Sequence, residues 1–82
     1  MKAAVEISLY PLDAAFVQTI TEFIRKLNSH TDLAVQTNAM STQVSGPLER
    51  IMSVLAHEMQ AAAQAGPKLV FVMKVIGPYA GP

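Results

Sequence analysis

The chain has 82 residues, 51% of them hydrophobic and 15% charged, which suffices for one small domain with a modest core. Six acidic residues balance six basic ones, so no charge pattern indicates nucleic acid or an anionic membrane as a partner. The absence of cysteine excludes disulfides, thiolate metal sites and a cysteine nucleophile, and suits a cytoplasmic protein. Because so small a core leaves apolar surface uncovered, a homo-oligomer is expected.

Neither a signal peptide nor a membrane-spanning segment is expected. Glu6 follows the start of the chain too closely for the apolar region of a signal peptide to develop. No window of the sequence approaches the roughly 20 apolar residues that a membrane-spanning helix needs.

The first half of the chain predicts a strand, a helix and a hairpin. The N-terminal residues alternate apolar and polar side chains, which is typical of a half-buried strand. Asp13 is placed to cap a helix whose apolar residues recur at helical spacing. Asn38 and Ala39 would form a tight connection between two short strands. The expected elements are a strand at 3–10, a helix at 14–28, and strands at 33–37 and 40–45.

The second half predicts a helix followed by an apolar strand. Gly46 and Pro47 favour a helix start, and Gly66 and Pro67 favour a helix end. The final strand is apolar on both faces, which is typical of a strand buried on both sides. The expected elements are a helix at 47–65 and a strand at 68–76.

The order β-α-β-β-α-β predicts an α+β, ferredoxin-like fold, in which two helices pack on one face of a four-stranded antiparallel sheet. Residues 1–76 would form the single domain, and residues 77–82 a flexible tail. The right-handed crossover rule is taken to place the first and fourth strands in the middle and the second and third at the edges.

One face of the sheet is predicted to be free of helices. If Val5, Ile7 and Leu9 point at the helices, Glu6, Ser8 and Tyr10 point away from them. The same phase on the third strand turns Thr42 toward the helices and leaves three polar side chains on the open face. The open-face residues are then Glu6, Ser8, Tyr10, Ala34, Gln36, Ser41, Gln43 and Ser45, with either Val70, Val72 and Lys74 or Phe71 and Met73.

Two interpretations of these polar groups stay open. They could hydrogen-bond a small molecule or line a wet interface. Alternatively, hydroxyls on an edge strand protect a sheet from aggregation, and Glu6 is a solvated charge opposite Lys74.

No catalytic or metal-binding pattern is present in the sequence. There is no Ser-His-Asp arrangement, glycine-rich phosphate loop or paired carboxylate motif. His30 and His57 lack a second ligand at metal spacing and are interpreted as surface residues. The chain is therefore not expected to be an enzyme or to hold a metal.

Three segments resemble the YkoF-like family of thiamine and hydroxymethylpyrimidine binding proteins. They are VEISLYPL at 5–12, MSTQVSGPLERIMSVL at 40–55 and KLVFVMKVI at 68–76. The resemblance implies a ferredoxin-like domain that binds thiamine or its pyrimidine portion reversibly, in support of uptake or salvage, with no cofactor and no chemistry of its own. A regulatory or assembly module with the same fold and no thiamine site is the alternative.

The best-known member of that family resembles two such domains fused in tandem, whereas this chain has one, so a dimer or tetramer through the sheet face would replace the tandem arrangement. Hydroxyl, amide and carboxylate groups on the matching motifs would bind the aminopyrimidine. Tyr10 or Phe71 would cover a ring, and Glu6 would offset the thiazolium charge. The candidate ligand-binding residues are Glu6, Ser8, Tyr10, Ser41, Thr42 and Gln43.

Overall fold

The computed structural model describes residues 1–64, 66 and 68–81. Its elements follow the predicted order, and both helices pack on one face of a four-stranded antiparallel sheet, which confirms the ferredoxin-like fold. The predicted helix end at Ala65 and the stop at Pro67 lie outside the described residues. The elements are β1 (Lys2–Pro11), α1 (Phe16–Asn28), β2 (Ala34–Thr37), β3 (Thr42–Pro47), α2 (Leu48–Gln64) and β4 (Leu69–Ile76).

The strand order is β2-β3-β1-β4, which corrects the predicted arrangement. β1 and β4 are neighbours, as expected, but β1 and β3 are the central strands and β4 is an edge. The reason is that the two crossovers interleave. Each helix connects a strand to the next parallel one by passing over an antiparallel strand, and the β2–β3 hairpin brings β3 against β1.

The register settles which side chains share a face. Val5 lies opposite Val44 on β3 and Val75 on β4, and Val5 and Val44 are fully buried against the helices. The predicted phases of the first and third strands are therefore confirmed. On β4, the open-face residues are Val70, Val72 and Lys74, and not Phe71 and Met73. Lys74 lies opposite Glu6 and therefore shares the helix-free face.

The core lies between the helices and the two central strands. Phe71 on β4 reaches it from the edge, where its ring packs against that of Phe23 with centroids 5.6 Å apart. Phe71 is therefore a core residue and does not belong to the helix-free face. The largest fully buried side chains are Leu27, Ile51, Leu55, Val5, Val44 and Val54.

The start of α1 differs from the prediction that Asp13 caps it. The helix begins at Phe16 after Ala15, which has no side-chain capping bond. Asp13 instead accepts a hydrogen bond from the Ala15 N–H at 3.4 Å. A capping carboxylate bonds the N–H of the second or third residue of the helix, which in α1 are Val17 and Gln18, four and five residues beyond Asp13.

His30 is half-buried and paired with a buried carboxylate, whereas the sequence interpretation made it a surface residue without a partner. Its Nε2 lies 2.7 Å from Oε2 of Glu58, a residue that is only 6% exposed on α2. A carboxylate this deeply buried requires a partner. The pair thereby ties the loop after α1 to α2. His57 is exposed, as expected.

The residues after β4 return toward the start of β1. The N–H of Tyr79 donates a hydrogen bond to the carbonyl of Lys2 at 2.9 Å. The domain boundary at residue 76 and the flexibility of 77–82 stay predictions, and Pro82 lies outside the described residues.

Candidate ligand-binding site

The sheet has a gap at one end because β1 is longer than its neighbour β3. β1 has ten residues and β3 has six. The last pair between them is Ile7 with Thr42, whereas β1 continues to pair with β4 as far as Pro11. The end of β1 therefore has an open side toward β3. We call the space on that side the end cleft.

The end cleft lies between the end of β1, one side of α1 and the β2–β3 connection. Its volume is about 180 Å³. Ile20, Phe23 and Ile24 of α1 form an apolar wall. The polar residues that line it are Ser8, Tyr10, Thr37, Asn38, Ser41 and Thr42.

The peptide group of Leu9 faces this cleft. Alternate residues of an antiparallel strand direct their N–H and C=O groups to opposite sides. The Met1 carbonyl accepts from the Leu48 N–H beside β3, and the Leu12 N–H donates to the Lys68 carbonyl beside β4, each at 2.9 Å. Odd-numbered residues of β1 therefore face β3. Leu9 lies beyond the last β3 partner, so its N–H and C=O offer an adjacent donor and acceptor to the cleft.

The β2–β3 connection forms the opposite wall and is longer than predicted. Asn38 and Ala39 were expected to connect the strands alone, but β3 starts only at Thr42. The Asn38 side-chain oxygen accepts from the N–H groups of Met40 at 2.8 Å and Ser41 at 3.1 Å. These local bonds satisfy the turn internally. The N–H groups of Met40 and Ser41 are therefore occupied within the turn and do not bond to Leu9.

Thr42 lies on the helix side of the sheet and is 4% exposed. Its hydroxyl is 3.1 Å from that of Thr37 on β2. Thr42 therefore reaches the cleft from its base, whereas Ser8 and Tyr10 lie on the opposite face of β1. Tyr10 is 54% exposed at the rim.

Ser41 joins the cleft to the helix-free face. Its hydroxyl donates to Oε2 of Glu6 at 3.0 Å. Glu6 is opposite Lys74 in the register, yet among the described residues no ion pair joins them. The Glu6 carboxylate is thus held at the cleft side of its strand and is not neutralised by Lys74.

Gln43 lies outside the end cleft. It stands in a row across the helix-free face, opposite Glu6 on one side and Gln36 on the other. It lines two depressions of about 290 and 270 Å³, each larger than the end cleft, that Tyr79 also lines. Four of the six candidate residues thus line the cleft, Glu6 is linked to it through Ser41, and Gln43 is separate.

Sequence reasoning missed the peptide group of Leu9 and the side chains of Thr37 and Asn38. The feature of the sequence that could have identified Leu9 is strand length. The strand predicted at 3–10 is longer than the one predicted at 40–45, so its end would have no partner on that side. The sequence predicts Asn38 as a turn residue, which is correct, but it does not indicate that this turn forms a wall of the cleft.

The site offers hydrogen bonding, a carboxylate and an apolar wall. In the described part of the chain, no group of three or more His, Asp or Glu side chains could hold a metal ion. No described helix is both long and apolar enough to cross a membrane.

Solved structures from three organisms share the fold. The chain superposes on a Thermotoga maritima protein assigned provisionally to thiamine biosynthesis or salvage, with a TM-score of 0.83, 21% identity, and coverage of 92% of this chain and 82% of that one. A hypothetical protein of Methanocaldococcus jannascii superposes with a TM-score of 0.82 and 24% identity, and the match covers 99% of this chain and 84% of that one. A Streptococcus pneumoniae protein superposes with a TM-score of 0.88 and 18% identity, and the match covers 96% of this chain and 89% of that one. At these identities the likeness shows the fold.

The family follows from the sequence itself. A search of the curated proteins gave no match. A profile described as thiamine-binding protein matches residues 5–76, which extend from within β1 to the end of β4 and include the end cleft. The chain therefore belongs to the thiamine-binding protein family.

Proposed function

We propose that the chain binds thiamine, or its hydroxymethylpyrimidine portion, reversibly and without chemical change, in support of uptake or salvage in the cytoplasm. The observation that carries the proposal is the end cleft, where the free peptide group of Leu9 lies among hydroxyl side chains. Membership of the thiamine-binding family supports thiamine as the ligand of this proposal.

The volume of the cleft suits one ring. Sites for drug-sized ligands start at roughly 300 Å³, and the end cleft has about 180 Å³. The pyrimidine ring would therefore lie inside, against Phe23 and Ile24, and the thiazolium ring of thiamine would lie outside.

The donor and acceptor of Leu9 match an aminopyrimidine edge. The exocyclic amino group would donate to the Leu9 carbonyl, and the neighbouring ring nitrogen would accept from the Leu9 N–H. Ser8, Ser41 and Thr42 supply hydroxyls for the remaining polar atoms. The ligand would thus form with Leu9 the pair of hydrogen bonds that a neighbouring strand would form.

Glu6 is placed to favour the cation. Its carboxylate lies beside the cleft through the bond from Ser41, on the face to which the thiazolium ring would extend. A carboxylate that is partly buried attracts a cation more strongly than one in water. Tyr10 at the rim would cover a ring, since Phe71 belongs to the core. Gln43 would act next to Glu6, outside the cleft.

An assembly module is the second candidate function, and the helix-free face supports it. Val70, Val72 and Ile76 are 45, 49 and 60% exposed there. Contact between two such faces would bury them and would give the homo-oligomer, a dimer or tetramer, expected from the composition.

Titration calorimetry with thiamine, hydroxymethylpyrimidine and oxythiamine tests the ligand proposal. Oxythiamine has a carbonyl in place of the amino group, so an acceptor would face the Leu9 carbonyl. Each unpaired buried group costs about 1 to 3 kcal/mol. We expect saturable binding of the first two compounds and about tenfold or greater weakening for oxythiamine. Absence of heat with thiamine and hydroxymethylpyrimidine would favour the assembly module.

A further inference from the structure

A groove lies between the two helices, and the described residues that line it all belong to α1 and α2. Its volume is about 210 Å³. Small side chains, those of Ala61 and Ala62, line it on α2, so space is left between the helices. Phe23 lines it from α1 and is 4% exposed. Of the described residues that line the groove, Phe23 alone also lines the end cleft, so the two spaces are separate.

Glu58 brings a buried carboxylate to the groove. It is 6% exposed, and its Oε2 lies 2.7 Å from Nε2 of His30. Within residues 1–64, 66 and 68–81, no second hydrogen bond or ion pair to this carboxylate is present. A carboxylate has two acceptor oxygens and can accept several hydrogen bonds. Glu58 can therefore accept from a cation that lies in the groove.

Lys26 brings an ammonium group to the same groove. The residue is half-buried, and in the described part of the chain no acid forms an ion pair with it. The acid one turn before it, Glu22, is bonded through both carboxylate oxygens to Arg25, at 2.6 and 2.9 Å. The Lys26 ammonium is therefore free to bind an anion.

The course of the chain places Lys26 and Glu58 at the same end of the groove. β1 and β2 are both antiparallel to β3, so the two helices run in opposite directions. Lys26 lies near the end of α1, and Glu58 is bonded to His30 just beyond that end. Gln18 lies about 12 Å away along α1, at a rise of about 1.5 Å per residue. The groove thus has both charges at one end, and its apolar residues lie between them and Gln18.

We propose that this groove binds an α-amino acid with an apolar side chain, as a second ligand beside the one proposed for the end cleft. The ammonium of the amino acid donates to Glu58, and its carboxylate accepts from Lys26. The side chain lies on Phe23 and Ala61. The two polar contacts are charge-assisted, which is the stronger kind of hydrogen bond.

Simpler ligands leave one of the charged groups without a partner. An alkylamine would leave Lys26 without an anion, and an alkyl carboxylate would leave Glu58 without a further donor. The volume is below the roughly 300 Å³ at which sites for drug-sized ligands start, so it suits a molecule as small as a single amino acid. An α-amino acid therefore fits the groove in charge and in size.

Titration calorimetry with leucine and methionine tests the proposal. Because no thiamine is present, the result is independent of the thiamine proposal. Leucinamide keeps the ammonium of leucine and replaces its carboxylate by a neutral amide, whereas isocaproate keeps the carboxylate and lacks the ammonium. We expect saturable binding of both amino acids. For each analogue we expect about tenfold or greater weakening relative to leucine, from the loss of one charge-assisted bond.

Two substitutions on α2 locate the site. Ala61→Leu fills the groove, and Ala63→Leu adds the same side chain at an exposed position of the same helix. Leucine is a good helix former, so we expect both variants to fold, as checked by circular dichroism. We expect Ala61→Leu to abolish leucine binding and Ala63→Leu to leave it unchanged.

Lys26→Gln tests the site without filling it. The variant removes the charge that would hold the ligand carboxylate, so we expect leucine affinity to fall by about tenfold or more. Lys2→Gln, at an exposed lysine of β1, controls for the general loss of charge. The proposal would be overturned if neither amino acid bound saturably, if an analogue bound as tightly as leucine, or if leucine affinity were unchanged in Lys26→Gln or in folded Ala61→Leu.

Discussion

The two edge strands of the sheet differ in length and in chemistry. β2 has four residues, of which Ala34, Gln36 and Thr37 are exposed. β4 has eight residues and one polar side chain, Lys74. Short and polar edges resist pairing, and long apolar ones promote it. Of the two edges, only β2 is therefore suited to remain unpaired in solution.

The same division separates the two proposed roles. The connection that leaves β2 forms a wall of the end cleft and carries Asn38 and Ser41, so hydrogen-bonding groups for a ligand lie on this half of the sheet. The other half, β4, carries the exposed apolar side chains of the helix-free face, which the assembly module would use. Substitutions should therefore affect one role without the other.

The largest effect is expected from a proline on the inward side of β4. The Lys68 carbonyl accepts from the Leu12 N–H beside β1, so even-numbered residues of β4 direct their N–H groups to β1 and odd-numbered ones direct them outward. Val72→Pro therefore removes an N–H that is directed to β1, where Val72 lies opposite Ser8. We expect the free energy of unfolding to fall by about 3 kcal/mol, from the lost bond and the steric conflict of the ring. Urea denaturation followed by circular dichroism measures this, with Met73→Pro as the matched control. Equal losses in the two variants would contradict the assignment of inward and outward amides.

Glu6→Gln should separate the two ligands. The variant keeps the shape of the side chain and removes its charge, and hydrogen bonds to charged groups are worth about 1.5 to 3 kcal/mol. We expect thiamine affinity in calorimetry to fall by about tenfold or more and hydroxymethylpyrimidine affinity to change little. Glu49→Gln, at an exposed acid on α2, controls for the general loss of charge. An equal loss for both ligands would contradict the role of Glu6 toward the cation.

Ser41→Ala should have a smaller effect on both ligands. A neutral hydrogen bond contributes about 0.5 to 1.5 kcal/mol, which corresponds to roughly a twofold to tenfold loss of affinity. Ser45→Ala is the matched control, because Ser45 lies on the same strand opposite Ala4 and outside the cleft. If Ser45→Ala weakened binding more than Ser41→Ala, the ligand would lie on the helix-free face.

The smallest effect is expected at the β2 edge. Gln36→Val makes this edge more apolar, but its four residues present too few peptide groups for stable pairing. We expect the mass of the assembly and the ligand affinity to stay unchanged. A larger assembly would show that side-chain polarity, and not strand length, protects this edge.

The elements, their order and the inward phase of β1 follow from the sequence because each depends on local periodicity. Val5, Ile7 and Leu9 alternate with polar residues, and their burial follows directly. The strand order was wrong for a physical reason. Apolar residues on both faces of residues 68–76 indicate that the strand is covered, but they do not indicate whether its own chain or a second copy covers it.

The site was predictable in part. Ser8, Tyr10, Ser41 and Thr42 were named from the phases of their strands, but they lie together because β1 pairs with β3, which the predicted strand order did not specify. Leu9 could not be identified from side-chain chemistry, since its contribution is a peptide group exposed by the position at which β3 ends.

The central claim is that the pyrimidine ring binds in the end cleft, against the peptide group of Leu9. The most direct test is an NMR titration of the isotope-labelled protein with hydroxymethylpyrimidine. We expect the amide signals of Leu9 and Ser41 to shift and exchange of the Leu9 amide to slow, whereas the signals of Gln43 and Tyr79 stay in place. Shifts at Gln43 and Tyr79 without a change at Leu9 would contradict it.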